Sequence, residues 1–144
     1  MLMLELTESM MHDINQVREK MEKIRELGVL FSLDDFGTGF SSLASLHLLN
    51  TDVIKIDQSF VTDLNTNAYK KALVESMVKV AQSLKLSTVA EGVETLEQKI
   101  LLHVLGCDIG QGYLFSKPLP LEQLLAGFAQ AKGLGAQAPL NNMN

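Results

Sequence analysis

The sequence predicts an α/β fold, a parallel β-sheet with helices packed outside it. Three observations carry that expectation. Strand-like and helix-like segments alternate along the 144 residues, five strands each followed by a helical stretch. Polar residues gather at the C-terminal ends of those strands: Glu5 and Glu8, Asp34 and Asp35, Lys55 and Asp57, Glu91 and Glu94, and Gln111. In parallel α/β folds the chemistry sits at that end of the sheet. Third, one strand ends in two adjacent acids and runs straight into a glycine-rich loop, Phe36-Gly37-Thr38-Gly39-Phe40-Ser41-Ser42-Leu43.

The elements follow in order. Residues 1–6 read as a short strand. Asn15 to Leu27 has apolar residues at Val17, Met21, Ile24 and Leu27, a helical spacing, with Gly28 as its cap. Val29 to Leu33 is the second strand and ends at the acidic pair. A short helix is expected over Ser41 to Leu49, then a strand over Asp52 to Asp57. Asn67 to Leu84 is a long amphipathic helix, and Leu86 to Ala90 a strand closed by Glu91-Gly92. Thr95 and Gln98 stand in capping-box spacing at the head of a helix over Thr95 to Leu105. The last strand is expected over Asp108 to Phe115, interrupted by glycines, and the last helix over Pro120 to Ala131, with proline in its first turn. Residues 1–131 form the expected folded unit and 132–144 a small, polar, flexible tail.

Bulk composition narrows the function classes. Hydrophobic residues make up 47% of the chain, a globular composition. The net charge of −5 speaks against a surface for nucleic-acid polymers or anionic membranes, which needs a basic field. One cysteine, Cys107, precludes a disulfide framework within the chain. No apolar run reaches membrane-span length and no signal peptide is visible, so the expected location is the cytoplasm.

The acidic pair is the chemical centre. Adjacent carboxylates repel, and they stay ionised cheaply only beside cations. A pair of divalent metals is the natural cation, and metals held by carboxylates are a recurring device for cleaving phosphate esters. Gly37 and Gly39 let the following loop bend and present backbone N–H groups to a phosphate. A lone acid before a helix is ordinarily only an N-cap; polar groups at all five strand ends make a shared chemical pole the better reading. Other readings fail on spacing. Asp35-Phe36-Gly37 lacks the His-Arg-Asp loop of a kinase. Gly37-x-Gly39 lacks the third glycine of a dinucleotide fingerprint. His12, His47 and His103 have no ligand spacing, and Cys107 reads as packing.

Six segments together resemble one family. Glu-Leu-Thr-Glu-Ser (5–9), Asp-Asp-Phe-Gly-Thr-Gly-Phe-Ser-Ser-Leu (34–43), Lys-Ile-Asp (55–57), Glu-Gly-Val-Glu (91–94), Gln-Gly-Tyr (111–113) and Ser-Lys-Pro-Leu-Pro (116–120) resemble, in order and spacing, the EAL domain. The resemblance implies the last five βα units of a TIM-like (β/α)8 barrel and hydrolysis of the second messenger cyclic di-GMP to linear pGpG. It implies two Mg²⁺ or Mn²⁺ ions held by Glu5, Asp34, Asp35 and Glu91. It makes Lys55 and Glu91 the catalytic groups beside the attacking water. Gln111, Asp57 and Glu94 become substrate-binding residues. Glu8 with Phe36, Gly37, Thr38, Gly39, Ser41 and Ser42 becomes a regulatory loop that couples dimerisation to metal binding. Homodimerisation or higher self-association follows, and an upstream sensor or GGDEF domain, able to tether the protein to a membrane, is a compatible neighbour. The Glu-Ala-Leu signature and a metal-binding asparagine are not found between residues 1 and 144; in the family both lie upstream of the segment matching Met1. The expectation is therefore a C-terminal portion of the domain, with very low activity by itself. A non-catalytic module that binds nucleotide or protein is the alternative.

Overall fold

In the computed structural model, which describes residues 2–7, 14–38 and 49–133, five strands form one sheet in the order β1-β2-β3-β4-β5. They are β1 (Met3–Leu6), β2 (Leu30–Phe36), β3 (Val53–Ile56), β4 (Ser87–Ala90) and β5 (Ile109–Gly110). Every neighbouring pair is parallel. The helices are α1 (Ile14–Arg25), α2 (Gln58–Val61), α3 (Ala68–Ser83), α4 (Leu96–Val104) and α5 (Leu121–Gly133). Strand order equal to chain order, with helical crossovers between β1 and β2, β3 and β4, and β4 and β5, is the layout of a barrel arc.

Period-two alternation sorts the sheet into two faces. Leu6, Phe31, Leu33, Ile54, Ile56 and Ala90 are buried against the helices. One cluster packs β1, β2 and β3 against Met21 of α1 and Ala81 of α3; the other packs β3 and β4 against Val74 and Val78 of α3 and Leu102 of α4. The register then puts Glu5 beside Ser32, and Lys55 beside Val89, on the opposite face.

Local chemistry sets the element ends. Asn67 caps α3 by accepting from the N–H groups of Tyr69 and Lys70. Thr95 and Gln98 form the expected capping box at α4. At the entry of β3, Asp52 accepts from the Phe31 N–H at 2.8 Å and from Arg25 at 2.9 Å. At the entry of β5, Asp108 accepts from both the N–H and the hydroxyl of Thr88 at 2.8 Å.

Four departures from expectation need correction. The second strand runs Leu30–Phe36 rather than stopping at Leu33, because its register with β3 shifts between Leu33 and Phe36 and pairing resumes past the acids. The strand expected over Asp108 to Phe115 pairs only at Ile109–Gly110. Beyond it the chain turns onto the β4–α4 loop: Val93 N–H donates to Gln111 O, and Leu114 N–H donates to Val93 O. Gly112 permits that approach, since a Cβ there would fall inside the Val93 backbone. Helix α2 was not anticipated; Asp57 starts it by accepting the Ser59 N–H. The helix expected over Ser41 to Leu49 falls almost wholly outside the described residues, as does the tail from 134 onward. Helix α5 extends to Gly133, two positions past the expected Ala131.

Candidate active site

The site is built where four strands end. Alternation along β1, β2, β3 and β4 brings Glu5, Asp34, Lys55 and Glu91 to the face away from the helices. Lys55 sits in their midst and is only 6% exposed. Its ammonium lies 2.8 Å from Glu5 Oε1, 2.8 Å from Asp34 Oδ1 and 2.8 Å from Glu91 Oε1. Burial pushes the ammonium towards its neutral form; the bonds it donates to Asp34, Glu5 and Glu91 outweigh that and hold the pKa above the ordinary lysine range.

Adjacent residues on a regular strand point to opposite faces, so Asp34 and Asp35 would ordinarily part company. The bulge between Leu33 and Phe36 prevents this. Asp35 also takes a left-handed backbone, φ 53°, which a non-glycine residue adopts at a cost of order 1–3 kcal/mol. The turn is held by the Thr38 N–H and hydroxyl, both donating to Asp35 O. As a result, carboxylate oxygens of Asp34, Asp35 and Glu91 lie within 4.8 Å of one another.

This donor set fits a hard divalent cation. All its ligand atoms are carboxylate oxygens, the chemistry that Mg²⁺ and Mn²⁺ prefer. Three carboxylates surround the ammonium and a fourth, Asp35, joins Asp34 and Glu91, so negative charge is in surplus. Asp34 Oδ1 is shut off from water and, apart from the ion pair with Lys55, accepts no hydrogen bond of normal geometry among the described residues.

An open cleft of ≈ 360 Å³ leads to the cluster, lined by Asp35, Asp57, Glu91, Glu94, Gln111 and Tyr113. Asp57 lines it while capping α2. The Glu94 side chain is exposed, and its N–H donates to Gln98 Oε1. Gln111 is held at the end of β4 by its N–H donating to Ala90 O. Gly92 is also required here: φ is 70°, and a Cβ would press to 2.6 Å from the Gln58 Cβ.

Of the loop residues, Phe36 is buried in the core, Gly37 turns with positive φ, and Thr38 holds the turn. Glu8, Gly39, Ser41 and Ser42 lie outside the described residues. Sequence reasoning passed over Gln58 and gave Tyr113 no role of its own, although both line the cleft. The available signals were the helix-capping Asp57-x-Ser59 and an aromatic directly after Gln111-Gly112.

A parallel barrel arc thus carries, at the C-terminal ends of its strands, a carboxylate cluster around a buried lysine. A family model for the EAL domain matches residues 1–118, and the chain belongs to that family. It is 44% identical over 144 residues to the cyclic di-GMP phosphodiesterase NbdA of Pseudomonas aeruginosa, covering 99% of this chain and 18% of that protein. The solved structure of the PaMucR phosphodiesterase in complex with c-di-GMP is 42% identical, with a TM-score of 0.80, covering 85% of this chain and 50% of that one. BlrP1 of Klebsiella pneumoniae, solved with manganese and cyclic di-GMP, is 38% identical, with a TM-score of 0.75, covering 81% of this chain and 30% of that one. The chain thus spans about a fifth of the length of the curated relative and half or less of these solved chains.

Proposed function

We propose that this chain supplies the carboxylate side of a metal-dependent phosphodiesterase site that hydrolyses cyclic di-GMP to linear pGpG. One observation carries the reading: oxygens of Asp34, Asp35 and Glu91 converge within 4.8 Å, beside a lysine clamped by three carboxylates. Asp34, Asp35 and Glu91 would hold the cation, with Glu5 at the rim. Mg²⁺ or Mn²⁺ bound there supplies charge neutralisation at the phosphate and lowers the pKa of water.

The residues divide the remaining work. Lys55 fixes the directions of Glu5, Asp34 and Glu91, and would put a positive point charge beside the scissile phosphate. Glu91 would take a proton from the attacking water; its position bordering both the cluster and the cleft supports that role. Gln111, Asp57 and Glu94 line the path the nucleotide would occupy. The reading extends to a homodimer coupled to the site through Glu8 and the 36–42 loop, and to an upstream sensor or GGDEF domain.

Release of pGpG, followed by chromatography with Mn²⁺ present, tests the assignment in an EAL domain containing these residues. Asp34→Ala, Asp35→Ala and Glu5→Ala should each remove most turnover, by roughly a hundredfold or more, because each deletes charge stabilisation at the reacting phosphate. Near-normal turnover at saturating metal refutes the role of the residue changed.

A further inference from the structure

Two walls of the acidic cleft come from separate elements. Asp57 and Gln58, at the head of α2, form one; Glu91, Gly92 and Glu94, in the β4–α4 loop, form the other. A single side chain outside the cleft wall bonds to both. Gln98, half-buried in the first turn of α4, accepts at Oε1 from the N–H groups of Glu94 at 2.8 Å and Thr95 at 3.0 Å. Its Nε2 donates to the carbonyl of Val61, the last residue of α2, at 3.1 Å.

A capping box needs only the bonds that Gln98 exchanges with Thr95. The bond to Val61 reaches across 37 positions and adds nothing to the cap. The Val61 carbonyl does not need it either, because it already accepts the Leu64 N–H at 3.1 Å. The amide therefore meets two separate demands: its oxygen holds the loop and its nitrogen holds α2. At the other end of α2, Gly92 packs on Gln58 so closely that a Cβ would fall 2.6 Å from the Gln58 Cβ. This four-residue helix is thus tied to the loop at both ends.

We propose that Gln98 is a positioning residue: it sets the separation of the two cleft walls, and through it the fit of the nucleotide between Asp57 and Glu94. The substrate side of this inference rests on the phosphodiesterase reading above. The metal cluster does not depend on the clamp. Glu91 is anchored on its own, by its N–H donating to Ile56 O at 3.0 Å and by the ion pair with Lys55. A carboxylate at position 98 would still accept the two loop N–H groups, but it has no hydrogen to give the Val61 carbonyl.

Two variants share only the loss of the Val61 bond. Gln98→Glu keeps the cap, since glutamate serves in a capping box, and adds a charge; Gln98→Ala removes the cap and adds none. Both are made in an EAL domain containing these residues and compared by cyclic di-GMP hydrolysis over a Mn²⁺ series, thermal unfolding and amide exchange. KM for cyclic di-GMP should rise roughly tenfold in both, the scale for removing a group that orients active-site residues. The Mn²⁺ concentration for half-maximal turnover should stay at the wild-type value. Tm should fall in Gln98→Ala and hold in Gln98→Glu. The Thr62 N–H, which closes α2 on Gln58 O, should exchange faster in both. A rise in KM confined to Gln98→Glu reports the added charge, and one confined to Gln98→Ala reports the lost cap; either overturns the clamp. An unchanged KM in both variants, unchanged Thr62 exchange, or a Tm loss in Gln98→Glu equal to that in Gln98→Ala also overturns it. A wild-type domain that does not turn over cyclic di-GMP removes the phosphodiesterase reading instead, and Thr62 exchange then decides the clamp by itself.

Discussion

Lys55 is held by two opposed effects. Taking its ammonium out of water is costly, and three carboxylates at 2.8 Å more than offset that cost. The same arithmetic applies to the acids, which repel one another once the ammonium is gone. Lys55→Met should therefore destabilise the metal-free chain by about 3 kcal/mol, the scale for breaking a buried ion pair from one side. Urea denaturation at neutral pH checks this; a loss below about 1 kcal/mol would mean that the acids relax apart without their cation. At Cys107 burial is the largest effect, and the neighbouring Asp108 charge acts in the same direction. Cys107 is 5% exposed, its thiol donates to Ile109 O at 3.4 Å, and burial raises its pKa above the ordinary thiol range. A raised folded-state pKa contributes stability that is complete below the unfolded-state value and fades as pH climbs past it. Wild-type stability should accordingly fall faster than that of Cys107→Ala as pH rises through about 8.5, and the native thiol should resist Ellman's reagent at pH 8. Rapid labelling of the folded chain would contradict the packing described.

At the scale of elements, the two ends of the sheet do different jobs. The entry ends of β3 and β5 carry Asp52 and Asp108, and each grips the N–H of a residue in the preceding strand, Phe31 or Thr88. Both donors belong to buried residues, so removing the acceptor strands a polar group in the core. Asp108→Ala should cost about 2 kcal/mol of stability, the range for orphaning a buried donor. Mn²⁺ affinity should be unchanged, because the carboxylate cluster lies at the opposite end of the strands. Thermal unfolding and a metal titration separate the two effects, and a matched loss of metal affinity would show that the ends are coupled. Elements with a strong local signal were legible in the sequence: the 3.6-residue period of α3, the Thr95/Gln98 capping box, the apolar run of β3. The end of β5 was misread because its apolar residues look like strand while Gly112 lets the chain leave the sheet, a tertiary event no local pattern records. The bulge in β2 escaped for a related reason: it depends on register against β3, which two separate segments determine together.

For the whole molecule, the acids legible as strand ends acquire meaning only when the sheet closes them around Lys55. Glu5 and Glu91 are 86 positions apart, and only the shared sheet face makes them neighbours of one ammonium. The family motifs named the residues, but neither the left-handed Asp35 nor the division of labour between Asp57 as cap and Asp57 as cleft wall could be read from spacing. Closure of this kind links metal binding to folding, since the unfolded chain has no preformed cluster for the ion to bind. A cation that binds only the folded state stabilises it by RT ln(1 + [L]/Kd), about 2.7 kcal/mol at a hundredfold excess over Kd. For a chain of this length that corresponds to a rise in Tm of roughly 5–10 °C. Mn²⁺ should produce such a rise in the wild-type chain and little or none in Asp34→Asn, which keeps the side-chain shape but removes the charge from an oxygen shut off from water. Scanning calorimetry over a Mn²⁺ series decides the matter. An equal rise in Asp34→Asn would place the stabilising ion elsewhere on the surface, and no rise in either would remove the cluster from consideration as a metal centre.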